Sequence, residues 1–471
     1  MNTSEFRQHG HELIDWIADY FESIREFPVK SQVAPGDILK ALPGSPPDRA
    51  EPFSEIFDDF QKKILPGMTH WQHPSFFAYF PANSSTPSVL GELLTSALAA
   101  QCMIWQTSPA AAELEEQVME WLKQMLALPE SFTGVIQDTA STATLCSILT
   151  ARERISDYAI NNAGLQMQPV YAVYCSSETH SSIEKAVKIA GLGRRNLRII
   201  EVDDTFAMRP EALEDAIRKD LDDGVTPLCV IATIGTTGST AIDPLREVGE
   251  ICQKYKIWLH VDAAYAGTAL LLPEMRWMSD GLELADTFVF NPHKWMATNF
   301  DCSAYFVRDK AALIRTFEIL PEYLKTSEGS SVNNYRDWGV PLGRRFRALK
   351  LWFVIRSFGV SGLQEMVRRH LFLANDISNQ IDQADDFERL APTPLSLICF
   401  RYHPVGTDDP ETLNRLNETL LTKLNSTGKL YMTHTKLNGA YTLRMVIAQT
   451  YVQQEDVANA WALIQETARS L

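Results

Sequence analysis

The chain has 471 residues, 45% of them hydrophobic and 22% charged, with 59 acidic against 43 basic side chains and a net charge of −16. That length is too great for one simple core and predicts two or three domains in one globular unit. The acidic balance argues against nucleic acid and anionic membranes as partners, since both require a basic surface.

In chain order, Met1 to Arg7 lacks the apolar core of a signal peptide. Leu13, Ile14, Ile17, Tyr20, Phe21 and Ile24 then recur at helical spacing and predict a helix over 11–24 with one broad apolar stripe. Pro28, Pro35-Gly36, Pro43-Gly44 and Pro46-Pro47 break any long element after it, so residues 1–85 are expected to form a helical segment that needs a partner surface. The apolar stretch Val89 to Trp105 is interrupted by Glu92 and Gln101, and no membrane span is expected.

From about residue 86 the pattern alternates between helices and short β-branched runs. These runs are Val170 to Cys175, Leu197 to Val202, Leu228 to Thr233, Ile257 to Val261, Thr287 to Phe290 and Ser303 to Val307. Such alternation predicts an α/β domain over 86–360 with a mainly parallel sheet covered on both faces. An arginine-rich helix is expected from Gly343-Arg344-Arg345-Phe346-Arg347, followed by a smaller α+β unit over 361–471. Seven cysteines lie far apart, without a Cys-x-x-Cys pair or a zinc-spaced histidine. This pattern fits a reducing compartment, for which the cytoplasm is the expected placement, and no metal site.

Four segments carry chemistry. Gly134 to Thr144 ends in a Thr/Ala/Ser-rich turn that opens an apolar helical run, and small residues at a helix start let a phosphate approach the unpaired N–H groups. Tyr171 to Ser182 reads as a strand, a turn carrying His180 and a helix beginning near Ser181. Trp258 to Gly267 delivers Asp262 at a strand end, and Asn291-Pro292-His293-Lys294-Trp295 delivers a lysine 32 residues later. A lysine amine that can bond to an aldehyde, with a carboxylate that can keep a pyridine nitrogen protonated, is what pyridoxal phosphate (PLP) chemistry needs. In open α/β sheets ligands bind outside the carboxyl ends of the strands, where His180, Asp262 and Lys294 would converge. Taken singly, each has a plainer reading: an Asp that caps a loop, a surface lysine, an ordinary Ser/Thr N-cap.

Together with His70-Trp71-Gln72-His73-Pro74, Phe77 to Pro81, Trp105 to Ala110 and Pro341 to Arg347, these segments resemble the group II PLP-dependent decarboxylases, most closely the aromatic L-amino acid decarboxylases. The resemblance covers nearly the whole chain. It implies an aspartate aminotransferase-like, fold type I architecture and a homodimer packed through the N-terminal segment. It also implies roles: Lys294 holds PLP, Asp262 holds the pyridinium proton and His180 stacks on the ring. Ala140 and Ser141, with Asn291 and His293, surround the phosphate or its approach, with His293 alternatively a structural histidine. Thr237 is expected to end a strand close to the site, or to cap a turn, and Ala264 to lie beneath the ring.

Tyr323 stands in a polar segment rich in Gly, Ser and Asn, which reads as a loop able to close over a site. In the resembling family a tyrosine here donates a proton after CO₂ leaves, and enzymes with phenylalanine instead tend toward oxidative deamination to an aldehyde. Tyr323 therefore favours decarboxylation. Trp71, Tyr79, Phe80 and Pro81 match the family's aromatic-lined pocket and favour an aromatic amino acid over glutamate, with Met103 and Gly343 at further substrate-lining positions. Ala82, Gln101 and Met103 depart from the animal pattern, so tyrosine, phenylalanine, dopa and tryptophan all stay open. The alternatives are an aromatic acetaldehyde synthase, which would share every cofactor residue, an aminotransferase using Arg444 for a substrate carboxylate, and a non-catalytic binding homologue. The plainer reading of Arg444 is a strand-end charge.

Overall fold

The computed structural model describes residues 1–319 and 331–471, which form two compact units. The larger comprises Ala82–Asn375 and Ala391–Cys399; the smaller comprises Met1–Pro81, Asp376–Leu390 and Phe400–Leu471.

The larger unit is built on seven strands: β1 (Thr133–Gln137), β2 (Tyr171–Ser176), β3 (Leu197–Ile200), β4 (Thr226–Thr233), β5 (Trp258–Asp262), β6 (Thr287–Phe290) and β7 (Ser303–Val307). Their spatial order is β1-β7-β6-β5-β4-β2-β3. Strands β6, β5, β4, β2 and β3 run parallel, and β7 is antiparallel to both β6 and β1. The central strands are buried along their length, which is why they read as continuous apolar runs rather than as alternating ones. Six of the seven strands fall where the β-branched runs predict them.

Strand β1 does not, because the sequence Thr133-Gly134-Val135-Ile136-Gln137 looks like the approach to a turn. Partners distant in sequence make it a strand. It pairs with all of β7, from Thr133 opposite Val307 to Gln137 opposite Ser303. On its other side the Ile136 N–H donates to Glu115 Oε1 at 2.9 Å, while the Ile136 carbonyl accepts from Arg344 Nη2 at 2.7 Å. Arg344 and Glu115 are themselves a buried ion pair at 2.7 Å. This work keeps Gly343–Phe346 out of the helix predicted to start there; the helix begins at Arg347 and runs to Asp382 with a break at Gly359.

Gly267 shows why a glycine closes the motif after Asp262. The chain turns into a 3₁₀ segment, Ala266–Leu271, directly against β6, and a Cβ at 267 would stand 2.4 Å from Phe290 Cβ. No side chain fits there.

In the smaller unit the first helix is Thr3–Glu22, eight residues longer at its start than the apolar stripe suggests. Asn2 explains the extension: its side chain accepts from the Ser4 and Glu5 N–H groups while Glu5 reaches back to the Asn2 N–H. None of the residues of this helix is buried. Four further strands, β8 (Phe387–Arg389), β9 (Leu397–Tyr402), β10 (Thr433–Leu437) and β11 (Ala440–Val446), form a sheet in the order β10-β11-β9-β8. Helices Pro410–Ser426 and Gln454–Arg469 complete the unit.

All seven cysteines are buried as free thiols. Among the described residues no helix is long and apolar enough to cross a membrane, and no cluster of His, Cys, Asp and Glu could hold a metal ion.

Candidate active site

Because β2, β5 and β6 are parallel, their carboxyl ends open on one edge of the sheet, and the three reactive groups sit there. Asp262 is the last residue of β5, paired with Thr233 of β4 and Val289 of β6. Its Oδ1 accepts from the Ala264 N–H at 2.9 Å, which holds the carboxylate at the strand end with only 5% exposure. Two residues past β6 the chain makes a single helical turn, Pro292–Trp295, that carries Lys294. His180 follows β2 in the turn before the helix Ser182–Ile189.

Electrostatics ties the three together. Burial pushes the Lys294 amine below the ordinary lysine range, with the Asp262 carboxylate opposing that shift. The same two groups act on His180: desolvation holds its imidazole low, Asp262 pulls it up and Lys294 pushes it down. His180 is nonetheless an exposed residue, so its ring is accessible to a ligand. Ser182, a residue that sequence reasoning quoted but gave no role, fixes this ring. Its Oγ lies 2.8 Å from His180 Nδ1 and its N–H donates to the same nitrogen at 3.2 Å. With Nδ1 accepting, the proton of the neutral ring is on Nε2. A hydroxyl two residues after a turn histidine was the available signal.

Helix Ala140–Ile155 starts at the end of β1's turn, with Thr139 as its N-cap. Thr139 Oγ1 accepts from the Thr142 N–H at 3.4 Å, and the first backbone bond of the helix goes from Ala143 to Thr139. The N–H groups of Ala140 and Ser141 are then left for an incoming acceptor. Ser141 is exposed and Ala140 buried, as a cup for a phosphate requires.

The Asn291 N–H donates to the Ala264 carbonyl at 3.0 Å, and its buried Oδ1 accepts from Ser303 Oγ at 2.6 Å. Ala264, half-buried between Asp262 and this bond, presents only a methyl group. His293 faces inward: its Nδ1 accepts from the Cys302 N–H at 2.9 Å, its ring lies 4.7 Å from Phe300, and burial pushes its pKa down to about 3. That is the environment of a structural histidine. Thr237 does not end a strand. Strand β4 stops at Thr233, and Thr237 is exposed in the turn beyond it, whereas its neighbour Thr236 is fully buried with Oγ1 accepting from the Ala241 N–H at 3.0 Å. Gly235, at φ +82°, turns the chain there.

Met103 and Gly343 are brought together in the larger unit. The Cys102 N–H donates to the Arg344 carbonyl at 3.0 Å, and the Arg344 N–H donates to Gln101 Oε1 at 2.7 Å. Gln101 Nε2 would stand 3.3 Å from a Cβ at Gly343. Trp71, Tyr79, Phe80 and Pro81 belong to the smaller unit. There Trp71 and Tyr79 stack at 5.9 Å, and Tyr79 Oη lies 3.1 Å from Tyr431 Oη. Arg444, half-way along β11 rather than at a strand end, is buried over the Phe80 ring and donates to Thr433 Oγ1 at 2.9 Å. Tyr323 lies outside the described residues.

A desolvated lysine, a buried carboxylate, an exposed histidine, a small alanine just past the strand end and the N–H groups of a helix start fit PLP, which carries an aldehyde, a flat ring, a basic ring nitrogen and a phosphate.

Comparison with known proteins agrees with that fit. A family described as the pyridoxal-dependent decarboxylase conserved domain matches residues 35–403. Phenylacetaldehyde synthase of Arabidopsis thaliana is 44% identical over 100% of this chain and 97% of its own. Tyrosine decarboxylase 4 of Petroselinum crispum is 43% identical over 100% of this chain and 95% of its own. Among solved structures, Oryza sativa TDC with PLP and tryptamine superposes with a TM-score of 0.97 at 36% identity, covering 100% of this chain and 99% of that one.

Proposed function

The chain belongs to the pyridoxal-dependent decarboxylases, and from that premise we propose that it converts an aromatic L-amino acid into the corresponding amine and CO₂. Its sheet has the fold type I arrangement of those enzymes. The observation that carries the reading is the convergence of Lys294, Asp262 and His180 on one sheet edge, with Lys294 held low by burial. PLP, when bound, supplies an electron sink for the bond broken at the substrate's α-carbon.

The chain's own groups do the rest. Lys294, shifted toward its neutral form by burial, would hold the cofactor through its amine. Asp262, whose carboxylate accepts from the Ala264 N–H, would hold a proton on the ring nitrogen. His180 covers one face of the ring and restricts where the substrate carboxylate can point, which selects the bond that breaks. Ala140 and Ser141 hold the phosphate through their N–H groups. Ala264 leaves room for the ring, and Asn291 braces the lysine turn against it. The buried His293 serves as a prop for that turn. The aromatic relatives favour a flat substrate side chain, for which Met103 and Gly343 of the larger unit supply part of the wall.

Tyr323 is the proposed proton donor to the α-carbon after CO₂ leaves. Tyr323→Phe should lower the yield of amine at least about tenfold and release hydrogen peroxide, since general acids contribute roughly 10²–10⁴ in rate. Product ratios equal to wild type would remove Tyr323 from that role. Oxidative conversion to an aldehyde is the second reading, and the 44% identity to a phenylacetaldehyde synthase is the observation that favours it. In a panel of tryptophan, tyrosine, phenylalanine, dopa and glutamate, an aromatic substrate should turn over and glutamate should not; preference for glutamate would overturn the substrate class.

The active form is a homodimer. Leu90, Leu93, Leu94 and Leu98 are 45–62% exposed along one face of the helix Thr86–Leu98, an apolar stripe that a second copy would cover. Light scattering should give the mass of two chains, and a monomer at micromolar concentration would contradict this. The reducing cytoplasm suits seven free thiols.

A further inference from the structure

We propose that His260 is a positioning residue that sets the distance between the phosphate grip at the start of the helix Ala140–Ile155 and the ring-nitrogen grip at Asp262. The inference rests on the cofactor placement proposed above and extends it to a group that touches neither end.

The residues form one buried polar chain. Trp258 Nε1 donates to Ser147 Oγ at 2.9 Å, Ser147 Oγ lies 2.7 Å from Thr287 Oγ1, Thr287 Oγ1 lies 2.9 Å from His260 Nδ1, and His260 Nε2 lies 3.0 Å from Thr144 Oγ1. Ser147, Thr287, His260 and Thr144 have no exposed surface, and Trp258 has 5%. An indole N–H can only donate, so Ser147 accepts from it and is free to donate onward to Thr287. Thr287 then donates to Nδ1, which leaves the imidazole proton on Nε2 to bond Thr144. One direction of donation satisfies every ring atom without a charge, and complete burial independently keeps the ring neutral, with a pKa pushed down to about 4.

Position gives this chain its purpose. Residues 258, 260 and 262 alternate to one face of β5, and Thr144 and Ser147 are three apart on one face of the helix. Thr144 is one turn from Ala140, and His260 is two residues from Asp262. The clamp therefore sits behind both grips at once. PLP joins its flat ring to its phosphate through one short methylene–ester link, so a grip on a helix and a grip on a strand serve it over a narrow range of separations. Apolar packing between helix and sheet would tolerate sliding by a few tenths of an ångström. Directional hydrogen bonds from a helix to two adjacent strands, β5 and β6, do not. Burying four polar side chains costs free energy unless all their bonds are made, which is a reason to find them only where geometry matters.

The test measures three quantities on the purified apoprotein and its Thr144→Val and Thr287→Val variants: PLP affinity by absorbance titration, inorganic phosphate affinity by competition, and melting temperature. Both variants should bind PLP about tenfold more weakly, the scale of one broken buried hydrogen bond, while the phosphate constant stays within about twofold. Thr144→Ser should restore PLP affinity. Phosphate binds through one grip and does not sense the spacing, so a positioning role separates the two ligands. Lower melting temperatures with unchanged PLP affinity would reduce His260 to a structural residue and overturn the inference. Equal weakening of PLP and phosphate would also overturn it, by locating the damage in the helix start alone. A wild-type protein that takes up no PLP would overturn the cofactor placement itself, before any variant is compared.

Discussion

Lys294→Ala should abolish the visible absorbance of the cofactor-loaded protein and lower turnover by on the order of 10⁴ or more, the scale of losing a covalent nucleophile. Burial favours the neutral amine at this position, and Asp262 only partly opposes it. Proton removal, which an exposed lysine would have to await at neutral pH, is therefore eased by the fold. The same argument predicts the stability of the variant. A buried amine is costly to desolvate, and alanine has nothing to desolvate, so the apoprotein should melt at the wild-type temperature or above it. A lost absorbance with an intact melt assigns the chemistry to Lys294; an unchanged spectrum would move it elsewhere. The absorbance of wild type and variant with added PLP, read beside thermal melts of both apoproteins, makes the check.

Asp262→Asn should have the second largest effect. The substitution keeps the shape and the capacity to accept from the Ala264 N–H, but it removes the charge that holds a proton on the ring nitrogen. Electrostatic groups of this kind are worth roughly 10²–10³ in rate, and turnover should fall by about that factor. PLP should also be retained less tightly, because a charge-assisted bond becomes a neutral one. The loss should be far greater in turnover than in PLP affinity, since the charge matters most when electrons move into the ring. Titration of PLP affinity together with steady-state rates separates these. Near-normal turnover would place the ring-nitrogen partner on another residue.

Much of the site was legible because its chemistry lies in short segments at strand ends. Asp262 and Lys294 belong to motifs whose strands are buried on both faces, and a continuous apolar run ending in a charged residue is hard to mistake. His180 was legible for the same reason. What was missed depends on partners distant in sequence. Strand β1 owes its existence to β7 and to the Arg344–Glu115 pair, neither visible in five residues that include a glycine. The helix start moved from Gly343 to Arg347 because Arg344 is drawn to Glu115 and Ile136. Thr237 seemed to end a strand because the β-branched run continues to Ile234, but the positive φ of Gly235 turns the chain first. His260 stands two residues before Asp262, but its role needs the helix that packs across the sheet, which one-dimensional spacing does not bring near. The N-terminal helix began earlier than its apolar stripe because capping by Asn2 and Glu5, rather than burial, defines that end.

The most direct test of the proposed activity is reaction stoichiometry with the preferred aromatic amino acid, following CO₂, amine, oxygen and hydrogen peroxide in one vessel. One amine per CO₂, with no oxygen uptake, is the predicted result. CO₂ accompanied by ammonia, peroxide and oxygen consumption would contradict it and make the chain an aromatic aldehyde synthase.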